Sequence, residues 1–377
     1  MKRKKLLIIS HTEHYESSNG IIVGWGATIN EVNFLADFWE EVVHIGCLYD
    51  SEAPKSALPY TKNNIRFVPI SPYGGKTVLD KLGILFKIPK IIQQVIKHQK
   101  GATEVQLRLP TSMGLFLLPL FSFFLPRKYT FWVKYAGDWA QQKTPLANKL
   151  QRRWLKMNWA KCKVTINGFW NNQPAQCYSF ENPCLYLNDI ENGLKVSAEK
   201  VFEPPYTFCF VGRVDEIKGM SRVIDAFREI PLDLIEAIHI VGSGKDMARY
   251  IEKSAFLGEK IIFHGDQSRN QVHQFMQKSH FFLLPSSVEG FPKVVAEAAC
   301  YGTIPVVSNV SSIKHYLNDT NSFLWHINTT HKVYGNIVKQ AVNSTKEIKE
   351  EKSKEIIKIA PLFTFDNYLK KLKENIL

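Results

Sequence analysis

The chain has 377 residues, 45% apolar and 22% charged, which is ample core material for two or three domains and excludes disorder, collagen and coiled coil as the main architecture. Its net charge of +13 is uneven: residues 51–163 carry 20 basic residues against 4 acidic ones, so an anionic partner is expected for that half. Six cysteines are scattered without a C-x-x-C pair, which speaks against a zinc knuckle or a redox pair and predicts reduced, mostly buried thiols.

The start, Met1-Lys-Arg-Lys-Lys followed by four apolar residues, imitates a signal peptide. The apolar part is too short, and His11, Glu13, His14 and Glu16 follow at once. Residues 6–10 therefore read as a first buried strand. Residues 27–39 have helical spacing, with Ile29, Val32, Phe34, Leu35 and Phe38 on one face. Strands follow at 42–48 and 65–70, a long basic helix at 79–98, and strands at 130–135 and 163–166. The uncharged run 109–126 is interrupted by Pro110, Pro119 and Pro126 and predicts a buried helix rather than a membrane span.

The pattern then restarts. Strands are predicted at 207–212, 237–241, 260–264, 281–285 and 304–308, with helices at 221–229, 272–278 and 293–301. Residues 332–377 read as helical and charge-dense. This alternation predicts an α/β protein of two doubly wound parallel-sheet (Rossmann-like) domains facing a central cleft. Pro204-Pro205 lies in the natural linker, 198–205. The domains are set at 1–200 and 201–355, with a C-terminal helix, 356–377, packing back on the first. Ligands of such sheets sit at the carboxyl ends of the strands.

Four features of the second half fall at strand ends. They are Phe210-Val-Gly-Arg-Val-Asp-Glu-Ile-Lys-Gly219, Ile240-Val-Gly-Ser-Gly244, Ile262-Phe-His-Gly265 and the stretch from Leu284 to Ala298 that holds Glu289, Gly290 and Glu297. Backbone N–H groups from Gly290 to Val294 approach a helix N-terminus and favour an anion. Arg213 and Lys218 add two cations suited to a diphosphate. Glu289 and Glu297 each suit a pair of sugar hydroxyls. Gly242 and Gly244 read as a tight turn or as a phosphate cradle. Together these features describe a nucleotide-sugar site.

The same residues resemble the nucleotide-sugar domain of retaining GT-B-fold glycosyltransferases of the group 1, family 4 type, over roughly residues 205–325. The shared pattern is G-R-x4-K-G (Gly212, Arg213, Lys218, Gly219), V-G-x-G (241–244) and two glutamates in E-x7-E spacing. The resemblance implies that Arg213 and Lys218 bind the donor diphosphate and steady it as leaving group, and that Glu289 contacts the donor sugar. Gly290, Phe291, Pro292, Lys293 and Val294 would present backbone groups, and Glu297 would hold the ribose hydroxyls. The family's E-G-F-G is here Glu-Gly-Phe-Pro, so Pro292 removes one N–H donor. Base recognition is expected near His264. No metal and no cofactor is implied, since the donor is a substrate and no Asp-x-Asp occurs.

In the first half, Gly24 and Gly26 are candidates to face the diphosphate in the loop after the first strand, with Gly20 as the alternative register. His11 and His14 lack a third ligand for a metal. Asp138 in Tyr135-Ala-Gly-Asp-Trp139 either orients an acceptor hydroxyl as a catalytic residue or is a turn aspartate. Arg108 either faces an acceptor phosphate or lies at the surface. The expected activity is transfer of a sugar from a nucleotide sugar to a glycan or lipid-phosphate-linked acceptor with retention, in surface polysaccharide or lipid-linked glycan biosynthesis. A non-catalytic nucleotide-sugar-binding protein and a GT-B-fold epimerase are the alternatives. The basic residues 51–163 suit an anionic membrane surface, nucleic acid is not expected, and a cytoplasmic, peripheral membrane location follows.

Overall fold

Runs of Val, Ile, Leu and Phe buried on both sides mark the strands of a parallel sheet. Leu6, Leu7, Ile8 and Ile9 form one such run, and Phe208, Cys209 and Phe210 another; all are fully buried. In the computed structural model, which describes residues 3–74, 83–124, 128–141, 144–327 and 333–377, each run is the first strand of its own sheet. The chain divides into two units, Met1–Glu181 with Leu369–Leu377, and Asn182–Tyr368.

In the first unit the strands are β1 (Arg3–Glu16), β2 (Ile22–Trp25), β3 (Trp39–Tyr49), β4 (Ala57–Pro59), β5 (Ile65–Ile70), β6 (Glu104–Leu109), β7 (Thr130–Tyr135), β8 (Lys163–Ile166) and β9 (Cys177–Ser179). Its helices are α1 (Gly26–Leu35), α2 (Ile84–Gln99), α3 (Gly114–Phe124) and α4 (Leu146–Lys156). The parallel core runs β5-β3-β1-β6-β7-β8-β9, and the short β2 and β4 add antiparallel pairs beside β1. Chain direction along the sheet reverses between β1 and β6, which makes that edge the switch point of the fold.

Three expectations change here. Residues 11–16 are not a loop but the continuation of β1, past a register shift between Ile9 and Glu13. Within this stretch Thr12, His14 and Tyr15 are buried, and His14 bonds the Thr12 carbonyl at 2.9 Å and the Tyr60 hydroxyl at 2.8 Å. The first helix stops at Leu35, so Trp39 already belongs to a strand. The helix expected over 79–98 starts at Ile84 among the described residues, and 75–82 lie outside them. The apolar run becomes α3, which buries Leu117, Leu118 and Phe121; its last residues, 125 and 126, lie outside the described residues. No helix among the described residues is long and apolar enough to cross a membrane.

The second unit holds α5 (Leu187–Glu199), β10 (Tyr206–Val211), α6 (Met220–Ala226), β11 (Ile235–Val241), α7 (Met247–Lys253), β12 (Ile261–Gly265), α8 (Arg269–Lys278), β13 (Phe281–Leu284), α9 (Lys293–Ala299), β14 (Ile304–Ser308), β15 (Phe323–Trp325), α10 (Tyr334–Asn343), α11 (Lys346–Ile357) and α12 (Phe365–Asn375), whose end passes to the first unit. All pairs are parallel in the order β12-β11-β10-β13-β14-β15, with the switch point between β10 and β13.

The contacts set the boundary at 181/182 rather than near 200. The reason is packing. A β-carbon on Gly193 of α5 would run into the Cys300 carbonyl, so this helix lies tight against the second unit. The expected linker is part of that unit too: Phe202 is 2% exposed, and Lys200 donates to the Ser279 carbonyl at 2.6 Å and the Thr303 hydroxyl at 2.8 Å.

Candidate functional site

The loops that leave β10 and β13 flank the switch point of the second sheet. Gly212 and Gly219, at φ of +153° and +86°, bend the first of them. Asp215 organises it: its side chain accepts the Lys218 N–H at 2.8 Å and pairs with the Arg213 guanidinium. Burial pushes the Asp215 carboxyl up, but the Lys218 N–H and the Arg213 side chain outweigh this and hold it below its ordinary value. The Ser287 N–H donates to the Ile217 carbonyl at 2.8 Å and ties the two loops together. Arg222 adds bonds to the Pro285 carbonyl and the Ser287 hydroxyl, both at 3.0 Å.

Within this frame Lys218 Nζ lies 2.5 Å from Glu289 Oε1. The lysine side chain is one quarter exposed and the carboxylate 8%. Arg213 stands on the same loop with its side chain mostly in solvent. Two of the four expected charged residues therefore touch, and a third is five residues from the lysine.

Glu297 has a different neighbourhood, on α9. Burial pushes its carboxyl up, opposed by the Arg269 and Lys293 cations. Arg269 is itself gripped by Asp189, with Nη2–Oδ2 at 2.6 Å and Nη1–Oδ1 at 3.3 Å, and it donates to the Cys184 carbonyl at 3.0 Å. Burial alone would raise Asp189; the Arg269 bonds and the Tyr186 N–H reverse that and hold it low. Asp189 and Arg269 carried no motif, and 80 residues separate them in sequence.

Gly290 gives its carbonyl to the Ser312 hydroxyl at 2.8 Å. Phe291 points into the core, its ring 4.5 Å from that of Phe363 and 4.8 Å from that of Tyr316, so only its backbone is on offer to a ligand. Pro292 precedes α9 as its N-cap instead of opening the first turn, and its carbonyl accepts the Val295 N–H at 3.0 Å. Lys293 and Val294 are the first two helical residues, and Val294 packs against the core.

Gly242 serves close backbone packing. At φ of +130° it sits where a β-carbon would strike the Gly212 carbonyl, and its N–H reaches the Gly265 carbonyl at 2.8 Å. Gly244 lies equally tight on the Val214 carbonyl. His264, half-buried at the end of β12, pairs with His239 at 3.0 Å and lies 4.3 Å from the Phe275 ring; burial lowers its pKa.

Among the described residues, four buried polar atoms where β13 and β14 end have no hydrogen-bond partner: Ser286 Oγ, Ser308 Oγ, Asn309 Oδ1 and Ser311 Oγ. Leu284 of β13 stands opposite Val307 of β14, so Ser286 and Asn309 extend the same register. Ser311 has φ of +51°, a conformation costly for a residue with a β-carbon. Orphaned buried hydroxyls are expensive and mark places where a polar ligand would supply the missing bonds. The serines were missed because a serine after a strand usually reads as turn punctuation.

In the first unit Gly24 lies in β2 opposite His14, and a β-carbon there would fall 2.6 Å from the imidazole. Gly26 opens α1 against the Ser56 carbonyl, and Gly20 has φ of +71° in the turn before β2. The bare faces of Gly24 and Gly26 are thus occupied by protein. Asp138 Oδ1 accepts the Ala140 N–H at 2.9 Å, which is the turn geometry, and Arg152 fixes that loop through the Asp138 and Trp139 carbonyls, both at 3.1 Å. Among the described residues no three His, Cys, Asp or Glu side chains gather as a metal site would require.

A sheet of this order is a doubly wound α/β domain, and ligands of such sheets bind at the switch point where the lysine–glutamate pair stands. Residues 195–362, which hold Arg213, Lys218, Glu289 and Glu297, match the family model described as glycosyl transferases group 1. The lipopolysaccharide 1,6-galactosyltransferase of Salmonella typhimurium is 35% identical over 112 residues, 28% of this chain and 31% of that protein. A Campylobacter jejuni diphospho-undecaprenol 4-alpha-N-acetylgalactosaminyltransferase is 28% identical over 134 residues, 35% of this chain and 36% of that protein. The matches span about a third of the length of these curated relatives.

Over nearly the whole chain the fold is that of GT-B glycosyltransferases. Sucrose-phosphate synthase from Thermosynechococcus elongatus superposes with a TM-score of 0.71 at 14% identity, covering 99% of this chain and 98% of that one. Anabaena HepE, solved in complex with UDP, gives 0.64 at 15% identity and the same coverages.

Proposed function

We propose that this chain is a glycosyltransferase that moves a sugar from a nucleotide-sugar donor to a glycan or lipid-linked acceptor, without a metal and with retention of anomeric configuration. The observation that carries the reading is the Lys218–Glu289 pair at the switch point, inside the stretch that matches the family. A lysine held by a carboxylate is a preorganised cation that exchanges partners when a phosphate arrives. Lys218 then moves to a diphosphate oxygen, and Glu289 is released to accept hydrogen bonds from the donor sugar. Arg213, on the exposed side of the same loop, adds a second cation.

Breaking the donor's glycosidic bond builds negative charge on the diphosphate and positive character on the sugar ring. Two cations on the leaving group and a carboxylate near the ring lower that barrier because they are in place beforehand. The Ser286, Ser308 and Ser311 hydroxyls, which have no partner among the described residues, are suited to donor hydroxyls. Glu297, half-buried between Arg269 and Lys293, suits the ribose.

Relatives named for lipopolysaccharide and diphospho-undecaprenol acceptors support a role in surface or lipid-linked glycan assembly, at the inner face of a membrane. HepE is solved with UDP-glucose as well as UDP, which makes uridine donors the first to try. The test is a thermal-shift screen of nucleoside diphosphates, followed by turnover of the matching sugar nucleotide in the presence of a chelator. Product whose anomeric NMR coupling keeps the donor configuration supports transfer with retention. Turnover confined to epimerisation, or binding with no turnover across a panel of acceptors, would overturn it.

A further inference from the structure

Arg222 lies outside the sequence motifs of the donor site, in the first turn of α6, just past Gly219. A cation at a helix N-terminus opposes the helix dipole, so local helix stability gives no reason for an arginine here. Its bonds go to neutral groups of other segments. Nη1 donates to the Pro285 carbonyl and the Ser287 hydroxyl, both at 3.0 Å, and the guanidinium lies 5.4 Å from the centre of the Trp325 ring. Helical side chains lean toward the N-terminus, so Arg222 reaches back over Gly219. A β-carbon on Gly219 would fall 2.3 Å from the Pro285 carbonyl oxygen. The glycine thus lets the end of β13 lie against the loop 212–219 at the point where Arg222 takes that carbonyl.

The loop 285–292, which carries Glu289, runs between β13 and α9 outside any helix or strand. It is pinned on both sides of the glutamate. Before it, the Ser287 N–H donates to the Ile217 carbonyl at 2.8 Å while the Ser287 hydroxyl accepts from Arg222. After it, the Gly290 carbonyl accepts from the Ser312 hydroxyl at 2.8 Å. The Glu289 carboxylate itself is held by Lys218. In the proposed reaction that last bond is given up, because Lys218 turns to the diphosphate. From then on the aim of Glu289 depends on the pins of its backbone. Those made by Arg222 go to neutral acceptors, so the charge of an arriving donor does not compete for them.

The geometry points to Arg222 as a positioning residue of the donor site: it holds the loop 285–292 so that Glu289 keeps its place at the sugar once Lys218 has left it. This inference rests on the glycosyltransferase reading and adds to its machinery a residue that acts through Glu289.

The test compares Arg222→Met and Arg222→Lys with the wild-type full chain. In Arg222→Met, kcat should fall about tenfold or more, the worth of one charged hydrogen bond. KM for the sugar nucleotide and the nucleoside diphosphate affinity should stay within about twofold, because the phosphates are bound by Lys218 and Arg213. Arg222→Lys, which still donates to the Pro285 carbonyl, should recover part of the loss. In a Glu289→Ala background Arg222→Met should cost nothing further, since no carboxylate is left to aim; a role in packing alone would add its loss to that of Glu289→Ala. Hydrogen exchange of the Ser287 amide, measured without donor or turnover, should quicken about tenfold in Arg222→Met.

Unchanged Ser287 exchange, additive losses in the double variant, or a fall in nucleoside diphosphate affinity as large as that in kcat overturns the inference. Should Arg222→Met fail to fold, Ser287→Ala, which removes one acceptor from an exposed residue, carries the same kinetic test with a smaller loss of about threefold. A wild-type chain that turns over no sugar nucleotide counts against the glycosyltransferase reading instead, and the exchange measurement then decides alone whether Arg222 holds the loop.

Discussion

Lys218 Nζ and Glu289 Oε1 stand 2.5 Å apart across two loops that leave neighbouring strands, 71 residues apart in sequence. The pair couples the two halves of the proposed donor site, so its members should fail differently. Glu289→Ala should lower the turnover number about 10²-fold or more, as loss of one preorganised charge at a reacting centre does. Its melting temperature should stay near that of the wild type, because the residue lies on a loop. Lys218→Ala should weaken nucleoside diphosphate affinity about tenfold or more, the usual worth of a charged hydrogen bond. Calorimetry and a steady-state assay read both, and normal turnover in Glu289→Ala would remove that residue from the mechanism.

Gly242→Ala should damage the fold before it damages binding. A β-carbon there meets the Gly212 carbonyl and sits at a φ that side chains avoid. A cost of about 2 kcal/mol or more is expected, seen as a lower urea midpoint. Gly265→Ala, with left-handed φ but nothing near its β-carbon, should cost less. Equal loss in the two variants would mean that strain alone, and not the close approach, sets the requirement for glycine.

The alternation of apolar runs and helical faces made both sheets legible, and glycine and charge punctuation at 212–219 and 286–292 exposed the loops at the switch point. A polar residue misled where the fold buries it with partners. The stretch from His11 to Glu16 read as loop, yet the chain stays extended: Glu13 and Glu16 face outward, and the buried His14 is satisfied by Thr12, Cys47 and Tyr60. Pro204-Pro205 read as a linker, yet Phe202 and Lys200 on its near side are packed into the second unit. The Asp189–Arg269 grip beside Glu297 and the ion pairs of Glu31 with Arg108 at 2.9 Å and with Lys134 at 2.7 Å were out of reach for another reason. Each is a product of strands and helices brought together from distant sequence, and no spacing announces it.

Lys200 predicts a pH dependence of stability. Burial lowers its pKa to about 7. In the unfolded chain a lysine keeps its proton to beyond pH 10. Between these values the unfolded state binds more protons, so stability rises with pH, by at most about 1.4 kcal/mol per unit. Below pH 7 both states hold the proton and the contribution is flat. Lys200→Met should remove this slope, measured as urea midpoints at pH 7, 8 and 9. An identical slope in the variant would assign the dependence to other groups.

Arg269→Met should move the acid limit of donor binding. Arg269 opposes the rise of the Glu297 carboxyl and is the main force holding Asp189 down. Without it both carboxyls protonate at higher pH. A ribose-holding role needs Glu297 ionised, so nucleoside diphosphate affinity should begin to fall at a higher pH than in the wild type, by up to about tenfold per unit below that limit. Inorganic pyrophosphate, which has no ribose, should show no such shift. Calorimetry from pH 5 to 8 with both ligands separates the outcomes: parallel shifts would assign the effect to the diphosphate, and no shift would detach Glu297 from donor binding.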